Sequence, residues 1–160
     1  MENAPYEMDA LDAAILEELQ KDVRVSFQDL ARQLKVAGGT IHFRYNRLRE
    51  AGILKGVRLL LDTAKLGYQI EAFIGINLHN AGDHKKLVER LRKMPEVTEA
   101  YYTTGPYSLF ARILVKSPKQ LHLFLAEKLQ PLAEIQSTET LIALDVPIDR
   151  SCDFKRLAGK

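Results

Sequence analysis

The chain has 160 residues, 46% of them hydrophobic and 28% charged, with a formal net charge of +2. That is ordinary for a soluble globular protein of one domain or two small ones, and no apolar run approaches the ~20 residues that a membrane-spanning helix needs. The single cysteine, Cys152, excludes an internal disulfide and fits a reducing cytoplasm, and no apolar stretch follows a basic start, so no signal peptide is expected.

The small net charge hides a split. Residues 1–34 carry three basic side chains against eight acidic ones, net −5, whereas residues 35–58 carry six basic against one acidic, net +5. A localised basic surface on a small helical module is the electrostatic signature of a phosphate-backbone binder. Asp9 is placed to cap a first helix, with Asp12 near the positive end of its dipole and Leu11, Ile15, Leu16 and Leu19 along one stripe. Ser26-Phe27-Gln28-Asp29 resembles a capping box and opens a second helix that buries Leu30, Ala31 and Leu34. Lys35-Val36-Ala37 then makes a turn of helix-turn-helix length.

A third helix is expected from Gly38-Gly39 to Glu50 or Ala51, stopped by Gly52. Ile41, Tyr45 and Leu48 are expected in the core. Thr40, Arg44 and Arg47 share their spacing on another side, with Phe43 and Asn46 beside them, and are expected to face DNA. Phe43 suits either a thymine methyl or packing on a neighbouring module. His42 is read as a DNA-facing or capping side chain. Ala37 stands where a Ser or Thr cap would be expected, and its two following glycines read either as bare backbone open to a phosphate or as a loose turn. Ser26 joins the DNA-binding set, as do Lys55 and Arg58 on a short β wing expected over residues 53–61.

From Tyr68 the apolar period changes to two. Strands are expected from Ile70 to Leu78, Val97 to Thr104, Leu109 to Val115 and Ile135 to Val146, with helices opened by Asp83 and by Ser117-Pro118. The order βαββαβ is the ferredoxin-like arrangement, with both helices on one face of the sheet. The other face would carry Phe73, Gly75, Tyr101, Thr103 and Phe110, too apolar to stay wet, so a homodimer with sheets face to face is expected. The fold class is thus α+β: a winged helix-turn-helix domain over residues 1–62, a ferredoxin-like domain over 63–150 that dimerises through its sheet, and a tail over 151–160. His42, His79, His84 and His122 are scattered, with no metal-ligand spacing, and no cofactor is expected. Tyr101, Tyr102 and Tyr107 read as cleft walls or as packing residues.

The ordered set Leu11-Asp12-x-x-Ile15-Leu16, Gly39-Thr40-Ile41-His42-x-Arg44-x-x-Arg47-Leu48, Leu66-Gly67-Tyr68, Thr104-Gly105-Pro106-Tyr107-Ser108 and Ser137-Thr138-Glu139-Thr140-Leu141 resembles the Lrp/AsnC, or feast/famine, transcriptional regulators. The resemblance covers about residues 9–150. It implies a sequence-specific DNA-binding regulator that is not an enzyme, paired through the ferredoxin-like domain and assembling further, commonly to an octamer. It also implies an amino-acid effector bound between dimers near the loop from Thr103 to Ser108, so that Thr103, Thr104, Gly105, Pro106, Tyr107, Ser108, Thr138 and Glu139 become the effector set. The chain departs from the family at Ala37, usually Ser, and at Ser108, usually the Asp of Gly-x-x-Asp; Glu139 is the candidate replacement charge. A similar branch decarboxylates siroheme, and an effector-free architectural DNA-binding protein has the same sequence features; these are the alternatives.

Overall fold

Asp9 starts the first helix, α1 (Ala10–Lys21), by accepting the Asp12 amide at 2.9 Å. Ser26 does the same for α2 (Phe27–Leu34), taking the Asp29 amide at 3.0 Å while its hydroxyl donates to the Asp29 carboxylate at 2.6 Å. Lys35 turns into the left-handed region (φ 55°), and three residues after α2 the chain enters α3 (Gly38–Glu50). Gly52 (φ 72°) ends α3 in a Schellman motif: the Gly52 amide donates to the Arg49 carbonyl and the Ile53 amide to that of Leu48. Ile15, Leu30, Ala31 and Ile41 form the centre of this three-helix core.

This computed structural model describes residues 6–154, which fall into two units: one runs to Leu59 and takes in a stretch from Ile148, the other spans Leu60–Pro147. Of the tail expected over 151–160, residues 155–160 lie outside the described residues.

A charged pair ties α1 to α3. The Arg44 guanidinium reaches Asp9 at 2.5 Å and Asp12 at 3.3 Å, and the Tyr6 hydroxyl donates to Asp12 at 2.9 Å. Asp12 is 0% exposed. A carboxylate taken wholly out of water needs a cation and hydrogen-bond donors around it.

The expected wing is not formed. Residues 53–61 have no strand partner among the described residues, and Leu60 is 90% exposed. The physical reason is that a lone two-stranded ribbon is marginal in water, and no third strand adjoins it here.

In the second unit the strands are β1 (Ile70–Leu78), β2 (Val97–Tyr102), β3 (Leu109–Val115) and β4 (Ile135–Ile142), ordered β2-β3-β1-β4 with every pair antiparallel. The second strand stops two residues before the expected Thr104, and the last ends at Ile142 instead of Val146. A single 3₁₀ turn (Ala81–Asp83) precedes α4 (His84–Leu91), and Asp83 makes no side-chain cap there. Ser117 caps α5 (Pro118–Leu123), which continues as a wider π turn over Phe124–Leu129. Ala72, Ile74 and Ile76 of β1 meet Leu87, Leu91 and Phe124 in the core between sheet and helices. Glu134, at the mouth of β4, is gripped by Lys86 at 2.8 Å and Arg90 at 3.3 Å, both from α4.

The Asp12 amide, with a contribution from Arg44 and against a smaller desolvation cost, holds the Asp9 carboxyl below the usual carboxylate range. A depressed acid stabilises the fold above its unfolded titration range and loses that contribution as pH falls through the folded value. Asp9→Asn is therefore expected to lower the melting temperature at neutral pH, and to flatten the loss of stability that the wild type shows below about pH 4. Parallel melts monitored by circular dichroism check this. Arg44→Ala leaves Asp12 buried with only Tyr6 and is expected to cost about 2 kcal/mol or more, read by urea unfolding.

Candidate DNA-binding face and effector loop

The outward face of α3 follows from what its inward face must bury. Ile41 and Leu48 are fully buried, and Tyr45 leans on the Phe27 ring at 5.0 Å. At about 100° of rotation per residue, Arg44 falls closer to Leu48 than to the exposed side. It is 21% exposed and committed to Asp9 and Asp12. This corrects the expected reading face: Arg44 is turned inward, and Thr40 is half-buried beside it. The residues opposite the core are Gly39, Phe43, Asn46 and Glu50, flanked by His42 and Arg49 on one side and Arg47 on the other; all are exposed.

The flanks are braced. The His42 ring stands edge-on to Phe27 at 4.5 Å, and the Arg47 guanidinium lies 5.1 Å from the Tyr6 ring centroid. Phe43, 65% exposed, has no aromatic partner among the described residues. Ala37 makes no side-chain cap, and nothing lies within 4 Å of where a Cβ would sit on Gly38 or Gly39, so the helix start is open. Ser26, Lys55 and Arg58 are exposed too, but Ser26 is occupied in capping α2. Sequence reasoning missed Arg49. The signal was present: Arg49 follows His42 by seven residues and Asn46 by three, on the stripe that Gly39 opens.

In the second unit the loop after β2 is pinned at both ends. The Thr103 amide donates to the Ser108 carbonyl at 3.1 Å, and the Thr103 hydroxyl donates to the Tyr107 carbonyl at 2.8 Å. Gly105 (φ 116°) makes the reversal between them, with Thr104 and Pro106 exposed at its tip. The Ser108 amide donates to the Ile76 carbonyl, and its hydroxyl accepts the Leu78 amide at 3.4 Å, so Ser108 is tied to the end of β1. Tyr107 folds back across the sheet: its ring lies over Gly75, where a Cβ would stand 2.6 Å from it, and its hydroxyl donates to Glu139. That bond to the carboxylate, and secondarily burial, raise the Tyr107 phenol above its ordinary range.

Register explains this placement. Gly75 pairs with Phe110 on one side and Glu139 on the other, so all three share the open face of the sheet. Thr138 pairs with Ile76 and therefore belongs to the helix-covered face. The expected effector set is thus divided between two faces, with Glu139 and Tyr107 together and Thr138 behind them. The open face also carries Phe73 stacked on Phe110 at 5.7 Å, and Arg112 held by Glu71 at 2.5 Å and Glu99 at 3.2 Å. Tyr102 stacks on His84 at 4.6 Å, and the Tyr101 hydroxyl donates to Glu99. No cluster of three or more metal-ligating side chains occurs among the described residues, and none of their helices is long and apolar enough to cross a membrane.

A helix-turn-helix unit whose exposed helix face is flanked by arginines, followed by a ferredoxin-like unit with one sheet face turned away from its helices, is the build of a two-part DNA-binding regulator. Residues 8–49 match the family model of the AsnC-type helix-turn-helix domain, and residues 71–151 that of the Lrp/AsnC ligand binding domain. The chain is 45% identical over 145 residues to the regulatory protein AsnC of Haemophilus influenzae, covering 91% of this chain and 97% of that one. It is 45% identical over 151 residues to AsnC of Escherichia coli K12, covering 94% and 98%. The solved structure of E. coli AsnC superposes with a TM-score of 0.87 at 43% identity, over 92% of this chain and 99% of that one. A Neisseria meningitidis transcriptional regulator solved with L-Met shares the fold, with a TM-score of 0.83 at 22% identity over 91% and 95%. The chain belongs to the Lrp/AsnC family: it is a DNA-binding transcriptional regulator and not an enzyme, which sets the siroheme alternative aside.

Gly75→Ala is expected to lever the Tyr107 ring off the sheet and break its bond to Glu139. Ultraviolet titration of the tyrosines checks the pairing. Glu139→Gln should bring one phenol back toward its ordinary range, and Gly75→Ala should do the same; an unchanged titration in both variants would contradict the contact.

Proposed function

We propose that the chain works in the cytoplasm as a homodimer, assembling further toward an octamer, that presents two α3 helices to a two-fold pair of DNA half-sites and is modulated by an amino acid bound near the 103–108 loop. One observation carries the pairing: the sheet face turned away from the helices bears Phe73, Phe110, Tyr101 and Leu141, and Tyr101 and Leu141 are exposed. An uncovered apolar face of this kind favours a self-complementary partner. The leucines at 59–61, exposed in one chain, add apolar surface that association would cover.

On the DNA side the working set is Gly38, Gly39, His42, Phe43, Asn46, Arg47 and Arg49, with Lys55 and Arg58 as phosphate contacts and Ser26 holding the end of α2 beside the backbone. Arg44 serves the set from inside by fixing α3 on α1. On the effector side, Glu139 is the carboxylate suited to an α-ammonium group, and a ligand there displaces the Tyr107 hydroxyl from it. Ser108 supplies no charge. The complex of the Neisseria protein with L-Met supports an amino acid as the ligand class.

Sedimentation velocity is expected to give a dimer or a multiple of it, and Phe110→Lys to shift the population toward single chains with weaker DNA binding. In gel-shift titrations Arg49→Ala is expected to weaken binding across sequences and to reduce the salt slope by about one phosphate contact. A thermal-shift screen of the standard amino acids is expected to give a hit that Glu139→Gln abolishes. Single chains that ignore genomic fragments at low salt would overturn the proposal.

A further inference from the structure

We infer that Phe43 and Asn46 read neighbouring base pairs of each half-site: Phe43 touches the 5-methyl group of a thymine, and Asn46 makes a paired contact to the N6 and N7 edge of an adenine. This rests on the docking of α3 proposed above and adds base identities to it. The starting point is that Phe43 and Asn46 lie at the centre of the exposed stripe, opposite Ile41 and Leu48. The cations of α3 are elsewhere. Arg44 is held by Asp9 and Asp12, while Arg47 and Arg49 sit on the two flanks, where groove walls present phosphates. The central readers are therefore an aromatic hydrocarbon and an amide.

Their chemistry restricts the bases. Phe43 offers no donor or acceptor, and the thymine methyl is the one apolar group on a major-groove edge. An amide side chain matches adenine, which presents a donor and an acceptor side by side. Three residues along α3 advance about 4.5 Å, close to the spacing of about 3.4 Å between base pairs when the helix lies along the groove. Phe43 and Asn46 thus meet adjacent steps.

The ends of the helix orient it. Gly38 and Gly39 leave its start bare, so it can approach closely. Glu50 ends the same stripe, and its carboxylate is repelled by phosphates, which tilts the far end outward. The first three turns then carry the contact. His42 does not compete for the central position, because its ring is braced on Phe27.

The test uses the full-length protein and the duplex it selects from a random-sequence library. Each thymine of that duplex is replaced in turn by deoxyuridine, which removes only the methyl, and each adenine by 7-deazaadenine, which removes only N7. One thymine per half-site is expected to lose about fourfold on loss of the methyl, the worth of one buried methyl group. An adjacent adenine is expected to lose about fivefold on loss of N7, the worth of one hydrogen bond. Phe43→Ser should bind the deoxyuridine and thymine duplexes equally, whereas Phe43→Leu should keep the preference. Asn46→Ala should be indifferent to 7-deazaadenine. Melting temperatures near wild type establish that the variants are folded. If wild-type protein binds every deoxyuridine duplex as tightly as the parent, or Phe43→Ser keeps the preference, the Phe43 assignment is overturned while docking stands. If 7-deazaadenine has no effect, or Asn46→Ala retains one, the Asn46 assignment falls. If no duplex is selected, the docking itself fails.

Discussion

A carboxylate that water cannot reach sets which side of α3 this protein displays. Asp12 is completely buried in the first helix of the N-terminal unit, and Arg44 of α3 is the cation within reach of it. Leaving such a carboxylate alone is far more costly than holding its partner in place. The pair therefore fixes the rotation of α3 about its own axis as well as its distance from α1. Once Arg44 points inward with Ile41 and Leu48, the opposite side must be Gly39, Phe43, Asn46 and Glu50. The basic groups left on the flanks suit phosphates, and the uncharged centre suits base edges. A hidden charge thus determines which uncharged side chains are displayed.

The C-terminal unit uses a different constraint, the strict alternation of faces along a strand. Ala72, Ile74 and Ile76 go to the helices, so Phe73 and Gly75 go to the open side. The absence of a side chain at Gly75 makes the seat for the Tyr107 ring, which joins the loop after β2 to Glu139 of β4. A group that breaks the Tyr107–Glu139 bond would free a ring that lies on the same face as Phe110, 6.1 Å away. The loop at which an effector is proposed and the sheet face on which a partner is proposed are in this way physically adjacent. That adjacency is what a ligand needs if it is to bind two assembly states with different affinity.

Much of this was legible in the residues alone. Helix starts at Asp9, Ser26 and Ser117 were marked by capping side chains, the stop at Gly52 by its need for positive φ, and the four strands by period two. Local signals sufficed because each acts within a few residues. Phe43, Asn46 and Arg47 are exposed as expected, but Arg44 was misplaced for the opposite reason. Arg44 has the composition of a DNA reader, and only its contact with Asp12, 32 positions earlier, turns it inward. The wing failed because a basic, branched stretch has strand propensity but no third strand to pair with. The turn at Gly105 was legible, yet the partition of Thr138 from Glu139 required the pairing register, and the Tyr107–Gly75 seat required the missing Cβ to be seen against the ring. The π turn after α5 carries no sequence signal that distinguishes it from a continued α-helix.

The most direct test of the central claim is the DNA affinity of the double variant Asp12→Leu/Arg44→Met, measured with its melting temperature. Exchanging a buried ion pair for apolar side chains of similar volume is often tolerated. If Arg44 acts only by positioning α3, the apolar pair packs α3 on α1 in its place, and the double variant melts near the wild type and binds the same duplex with unchanged affinity. A double variant that melts like the wild type but binds about tenfold more weakly or worse places Arg44 on the DNA and contradicts the account.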